Sequence, residues 1–242
     1  VNVLDLFSGV GGWALGLGRA GFTTVAFCEC DEYARAVLRK YWDAPIYDDV
    51  RTLTAARLAA DGIAVDCIAA GWPCQDLSYA GKGAGLAGER SGLWREVARL
   101  IGELRPRYAL LENVSALLGR GLGDVLGDLA EVGYDAEWHC IPASHVGAPH
   151  RRDRIWIVAY PIGDQQPRPE PRLRSLGRMG REQQSVPWDR DWQGALRELR
   201  GVDDGLSYGV DRTDTLRNAL VPQIAEAIGR AVLTGDRESA KP

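Results

Sequence analysis

Gly71-Trp72-Pro73-Cys74-Gln75 places a thiol directly after a proline that fixes the backbone, at the end of an apolar run. A thiolate is a strong nucleophile, and an unperturbed thiol of pKa about 8.5 is only a few per cent ionised near neutrality. A working site must therefore supply a base or a positive field. Cysteine in general is more often a small buried hydrophobe, but here polar neighbours follow. Gly81, Gly83, Gly85, Gly88 and Gly92 lie within twelve residues of one another, as in a loop able to close over a substrate.

Three further stretches carry reactive types. Leu110-Leu111-Glu112-Asn113-Val114 ends an apolar run with an acid and an amide, which a strand would carry out of the core together. His150-Arg151-Arg152-Asp153-Arg154 precedes the apolar Ile155–Ala159, and alternation along an extended segment puts Arg152 and Arg154 on one face. Such a pair could meet a substrate and an anion, or could simply be a charged strand edge that discourages aggregation. Asp5-Leu6-Phe7-Ser8-Gly9-Val10-Gly11-Gly12-Trp13 sets three glycines between a strand and a helix, where amide N–H groups can approach a ligand. It departs from G-x-G-x-x-G, and a second strand ending near Glu29 or Asp31 offers a partner for ribose hydroxyls.

The elements that must hold these groups alternate. Strands are expected at Asn2–Phe7, Thr24–Cys28, Val65–Ala70, Tyr108–Glu112, Ala136–Ile141 and Ile155–Ala159. Helices are expected at Gly12–Ala20, Glu32–Tyr41, Leu93–Leu104 and Leu122–Val132. That order predicts an α/β fold with a mostly parallel sheet covered by helices on both faces, and ligands at the carboxyl ends of its strands. Residues 161–212, rich in Arg, Pro, Gly and Gln, form a small loop-rich module or a disordered segment. From Thr215 to Leu233 a helical pattern returns and packs back on residues 1–160, with Gly235 to Pro242 a polar, frayed tail.

Composition narrows the classes. The 242 residues, 45% hydrophobic and 26% charged, suit one sizeable core with a small appended module. No apolar stretch reaches the roughly 18 residues of a membrane span, and the first residues lack a signal-peptide pattern, so the expected location is cytoplasmic. Cys28, Cys30, Cys67, Cys74 and Cys140 fit neither a disulfide framework nor zinc-ligand spacing, so no metal is expected. Net charge is −4, yet residues 151–200 hold 11 arginines against 7 acidic residues, a local excess suited to a polyanion or merely to a solvated loop.

With the four stretches in this order, the chain resembles the DNA cytosine-C5 methyltransferases of bacterial and phage type, closely over residues 1–160 and more loosely over 205–233. The resemblance implies a Rossmann-like class I S-adenosylmethionine-dependent methyltransferase sheet with residues 161–212 as a small target recognition domain. It implies that Cys74 attacks C6 of a cytosine flipped out of duplex DNA, with Pro73 and Gln75 flanking it. Glu112 would engage N3 and the exocyclic amine, and Arg154 would hold the base, with Arg152 and Asn113 in support. Phe7, Gly9, Val10, Gly12, Glu29, Asp49, Val50, Gly71, Pro73, Leu93 and Asn218 match cofactor-contacting positions, Glu29 at the ribose hydroxyls and Asp49 at the adenine amine. Double-stranded DNA is the implied partner of a monomeric enzyme, a cognate restriction endonuclease a further one.

Two features depart from the family pattern. Arg217 stands before Asn218 where a glycine is usual, and the segment 161–212 is short for a recognition domain. They leave room for a catalytically impaired DNA-binding relative. A tRNA cytosine-C5 methyltransferase is a second alternative, since a branch of the same fold and cysteine modifies tRNA. A nicotinamide-dependent oxidoreductase on the same sheet would leave Pro-Cys-Gln and Glu-Asn-Val without a use.

Overall fold

The computed structural model describes residues 1–73, 92–148, 152–163 and 220–239. The strands are β1 (Asn2–Leu6), β2 (Thr23–Cys28), β3 (Ile46–Tyr47), β4 (Cys67–Ala70), β5 (Tyr108–Val114), β6 (Tyr134–Pro142) and β7 (Asp153–Pro161). The helices are α1 (Gly12–Ala20), α2 (Glu32–Tyr41), α3 (Ala55–Ala60), α4 (Leu93–Leu104), α5 (Leu117–Arg120), α6 (Leu122–Glu131) and α7 (Pro222–Ser239). The fold is α/β, as the alternating pattern predicts. One seven-stranded sheet has the order β3-β2-β1-β4-β5-β7-β6.

The pairings β1–β2, β1–β4, β2–β3 and β4–β5 are parallel, whereas β7 runs antiparallel to both β5 and β6. The sheet is therefore parallel except for β7. The reversal follows from the link after β6, a 3₁₀ turn at Ala143–Val146 and few residues more before Asp153. That is too short for a crossover, which takes a dozen residues or more. Reversal has a useful consequence: the start of β7, with its arginines, lies at the same end of the sheet as the finish of β5.

Alternation along the strands splits the core into two layers. Leu4, Leu6, Ile68, Ala70, Leu111 and Ile157 face α4 and α6 through Val97, Ile101, Val125 and Leu129. Val3, Ala69, Leu110, Trp156 and Val158 face α1 and α7 through Trp13, Leu17, Ile224 and Ile228. Helix α4 buries Trp94, Val97, Leu100 and Ile101, the stripe its sequence spacing predicts, with Leu93 and Leu104 at its partly covered ends.

Three short elements escape the periodicity argument, β3, α3 and α5, because two, six and four residues are too few to show a period. Helix α7 begins at Pro222, the position where a missing N–H costs nothing. It continues to Ser239, so much of the tail expected to fray is helical. Residues 215–219, and the module expected at 161–212 beyond Gly163, lie outside the described residues.

Helix α7 reaches back across more than 200 positions to lie on α1, and small residues set the distance. A Cβ on Gly16 would stand 2.6 Å from the Ala225 Cβ and 3.0 Å from the Glu226 amide nitrogen. A Cβ on Gly229 would meet Ala20 and Leu17 at 2.9 Å. The Arg230 guanidinium donates to the Arg19 carbonyl at 3.2 Å and pairs with Glu226 at 2.8 Å. Backbone on backbone cannot yield as a flexible side chain can, so Gly16→Ala should force the helices apart. We expect a loss of about 1–3 kcal/mol in urea unfolding, and a stability equal to wild type would contradict this packing.

Candidate active site

The first two strands end in a tight turn. Phe7 (φ +54°), Gly9 (φ +53°) and Gly11 (φ +86°) all adopt the left-handed region. For Phe7 that conformation costs on the order of 1 kcal/mol, a strain typical of backbone bent to a functional purpose. Ser8 steadies the turn by donating through Oγ to the Asp5 carbonyl at 2.7 Å, while its amide donates to the Cys28 carbonyl. The Gly9 amide donates to Glu29 Oε2 at 2.7 Å and the Asp31 amide to Oε1 at 2.8 Å. Beyond its chain neighbours, a Cβ on Gly9 would meet no atom of the described residues within 4 Å, so the turn is open on that side. Val10 is partly exposed beside it, whereas Gly12 is buried, with Leu220 3.0 Å from where its Cβ would stand.

The Glu29 amide bonds the Tyr47 carbonyl, tying the same corner to β3 and to the residues that follow it. Asp49 lies there with its carboxylate gripped by Arg51 through Nε at 2.9 Å and Nη2 at 2.8 Å. Those hydrogen bonds hold the Asp49 carboxyl below the ordinary range. Val50 is buried, and its carbonyl accepts from Arg99 at 3.1 Å.

On the other side of β1, the strand register builds the second half of the site. Ala70 pairs with Leu111 on β5, and Glu112 pairs with Trp156 on β7. Gly71 therefore follows β4 beside Glu112, whose Oε2 lies 3.2 Å from the point a Gly71 Cβ would occupy. Any side chain at 71 would compete with that carboxylate for space. Glu112 Oε1 receives Arg154 Nε at 3.0 Å, in a pair whose side chains are 12% and 21% exposed. Arg154 also donates through Nη1 to the Asp153 carbonyl at 3.0 Å, which fixes the guanidinium in place.

Arg152 acts on Glu112 as well, but not through strand alternation: it precedes β7 and has φ +34°. The expected extended segment is thus broken at that residue, although both arginines still address the same acid. Asn113 points to the opposite face and is 2% exposed. Its Nδ2 donates to the Trp72 carbonyl at 3.2 Å and its Oδ1 accepts from the Val114 amide at 2.8 Å. Asn113 thereby clips the end of β5 to the Gly71–Pro73 segment. Trp72 in turn packs on Trp94, next to Leu93 at the start of α4, with ring centroids 4.9 Å apart.

The sheet thus brings Gly71, Glu112, Asn113, Arg152 and Arg154 together, and Phe7, Gly9 and Glu29 together, at the carboxyl ends of β1, β2, β4 and β5. Pro73 is the last described residue of its segment; Cys74, Gln75 and Asn218 lie outside the described residues. Arg51 and Ser8 had no role in the sequence reading: their contacts with Asp49 and Asp5 are local, but no pattern of composition or spacing singles them out. Among the described residues no group of three or more His, Cys, Asp or Glu could hold a metal ion. Nor is any described helix long and apolar enough to cross a membrane.

Burial pushes the Glu112 carboxyl above its ordinary range, and Arg154 and Arg152 pull it only partly back. A raised acid binds its proton more tightly folded than unfolded. Its contribution to stability is full below the unfolded value of about 4.3 and is lost as pH rises through the folded one. Glu112→Gln, which stays neutral, should therefore gain in unfolding free energy relative to wild type as pH is raised from about 4 to 7. A difference that stays constant with pH would contradict the raised carboxyl.

Comparison with known proteins agrees with this geometry. The family model of C-5 cytosine-specific DNA methylases matches residues 1–193. The chain is 38% identical over 168 residues to the Type II methyltransferase M2.BsuMI of Bacillus subtilis (strain 168), covering 66% of this chain and 42% of that protein. It is 33% identical over 184 residues to the Type II methyltransferase M.NgoBI of Neisseria gonorrhoeae, covering 74% and 57%. The chain thus spans about half the length of the curated relatives it matches. A solved structure of a putative DNA modification methyltransferase encoded within a prophage (E. coli) superposes with a TM-score of 0.57 at 29% identity, covering 66% of this chain and 47% of that one. A DNMT2 from Spodoptera frugiperda, at 21% identity and a TM-score of 0.57, shares the fold. With a family model spanning most of its length, the chain belongs to the C-5 cytosine-specific DNA methylases.

Proposed function

We propose that this chain methylates C5 of cytosine in double-stranded DNA, with S-adenosylmethionine as the methyl donor and Cys74 as the covalent nucleophile. The observation that carries the proposal is the Glu112–Arg154 pair set against Gly71, three residues before the thiol. Cytosine C5 is a poor nucleophile. Attack of the Cys74 thiolate on C6 forms a carbon–sulfur bond and moves the C5–C6 π electrons into the ring, which leaves C5 enamine-like. The Glu112 carboxyl, kept above its ordinary range by burial, supplies a proton toward N3 and accepts from the exocyclic amine. Arg154 and Arg152 hold the ring and stabilise negative charge as it develops. Once C5 is methylated, a base removes the C5 proton, and the electron pair re-forms the double bond and expels the Cys74 thiolate.

The residues of the first turn fit the donor. The open side of the turn at Gly9 leaves room for a ligand that a side chain there would exclude. Each Glu29 oxygen accepts one backbone amide and keeps lone-pair capacity for a ribose hydroxyl. Asp49, held by Arg51, is available to an adenine amine, with Phe7, Val10, Val50, Pro73, Leu93 and Asn218 around the ligand. When bound, S-adenosylmethionine would supply an electrophilic methyl group and, as its methyl–sulfur bond breaks, leave as the neutral thioether S-adenosylhomocysteine. Flipping the target out of the duplex costs a few kcal/mol, which protein contacts must offset.

We assign the catalytic and cofactor-binding part to residues 1–160 and 213–242 and target recognition to 161–212, whose arginines suit phosphate and guanine contacts. The protein acts as a monomer, and the Type II names of its relatives suggest a cognate restriction endonuclease as partner.

Duplex DNA and tRNA incubated side by side with labelled S-adenosylmethionine should show transfer to the DNA. Cys74→Ala should lower it by a factor on the order of 10³ or more, and duplexes carrying 5-fluorocytosine at the methylated site should trap a covalent adduct with the wild type. Transfer to tRNA alone, or a methylated site that forms no fluorocytosine adduct, would refute the proposal.

A further inference from the structure

Trp13 is the second residue of α1, just after the glycine-rich turn, and beyond its packing in the core its indole N–H has no assigned part. Its side chain is 3% exposed, yet its indole Nε1 is buried without a hydrogen-bond partner. A buried donor left unsatisfied is costly, so one that persists calls for a reason. Its surroundings supply one. Trp13 rests edge-to-face on Trp156, centroids 5.2 Å apart at 78°, and Trp156 stands opposite Glu112 in the β5–β7 register. From the point a Gly71 Cβ would occupy, Trp13 Nε1 is 3.9 Å away and Glu112 Oε2 is 3.2 Å away. A donor and an acceptor thus lie near the same glycine, and beyond its chain neighbours no other atom of the described residues comes within 4 Å of that point. Glu112 Oε1 is already engaged by Arg154, which leaves Oε2 to be oriented by something else.

We infer that Trp13 is a positioning residue for Glu112: its indole N–H holds Oε2 through one bridging water and fixes the plane in which the carboxyl group is presented. The inference rests on the reading in which Glu112 addresses the target base. Phe at this position would fill most of the same volume and pack on Trp156 as well, but it could not donate. The charged groups that act on Glu112 are Arg154 and Arg152, both on the β7 side, and Trp13 adds a neutral donor from α1. A donor to the ionised form favours that form.

The test follows the Glu112 carboxyl itself in the full chain, by NMR titration with ¹³C-carboxyl-labelled glutamate, its resonance identified by loss in Glu112→Gln. Trp13→Phe should raise the Glu112 midpoint by about half a pH unit or more, roughly threefold in its ionisation equilibrium. Site-specific replacement of Trp13 by 3-benzothienylalanine keeps the bicyclic shape without the N–H and should give the same rise, which covers the case in which Trp13→Phe does not fold. Trp156→Phe perturbs the same packing and should leave the midpoint in place. A midpoint unmoved in the Trp13 variants, or moved equally by Trp156→Phe, would overturn the inference. Full methyl transfer by Glu112→Gln would instead overturn the role of Glu112, whatever the titrations show.

Discussion

An acid and an arginine pressed together at the end of a sheet set the terms for everything around them. Glu112 and Arg154 meet at 3.0 Å with little solvent on either side. In such surroundings a charge is expensive unless partnered, and removing one partner leaves the other stranded. Several features of the fold answer that demand. Strand β7 must run backwards, so that its first residues lie beside the last residues of β5. A glycine at position 71 leaves the Glu112 carboxylate its place, since a Cβ there would stand 3.2 Å from Oε2 and make it shift. Asn113 must turn to the other face, where it anchors the Trp72 carbonyl and so the segment that leads to Cys74.

The glycine-rich half of the sheet end depends on a different constraint, the left-handed turn that brings the Gly9 amide to Glu29. The two halves are joined through α1, whose first turn carries Trp13 over Gly71 and whose later turns lock onto α7. Helix α7 thereby braces the element that links the Gly9 turn to the Gly71–Glu112 corner. Small residues at 16, 225 and 229 make that bracing close and unforgiving.

Much of this was legible in the sequence because each motif sits where a period breaks. Apolar runs ending in Gly71, in Glu112 and in Phe7 marked strand ends, and the stripe of α4 marked a helix, each within a residue or two of its observed bounds. Resemblance then assigned roles that spacing could not. What remained hidden belongs to three dimensions. Strand β3 and helix α3 are too short for periodicity, and the direction of β7 depends on a connection rather than on a pattern. Arg152 looked like part of a strand, but its backbone turns before the ladder begins. Trp13 reads as one more apolar residue on a helix; like Trp72 and Trp156 it buries an indole nitrogen without a partner, and only the place of that nitrogen beside Gly71 sets it apart. The grip of Arg51 on Asp49 is local in sequence, two residues apart, yet no rule of composition singles it out.

A double-mutant cycle on methyl transfer addresses the Glu112–Arg154 interaction most directly. Single-turnover rates would be compared for wild type, Glu112→Gln, Arg154→Met and the double variant. If the two side chains act as one unit, the double variant should lose no more than about the larger of the single losses. Losses that multiply as for independent sites would contradict the account.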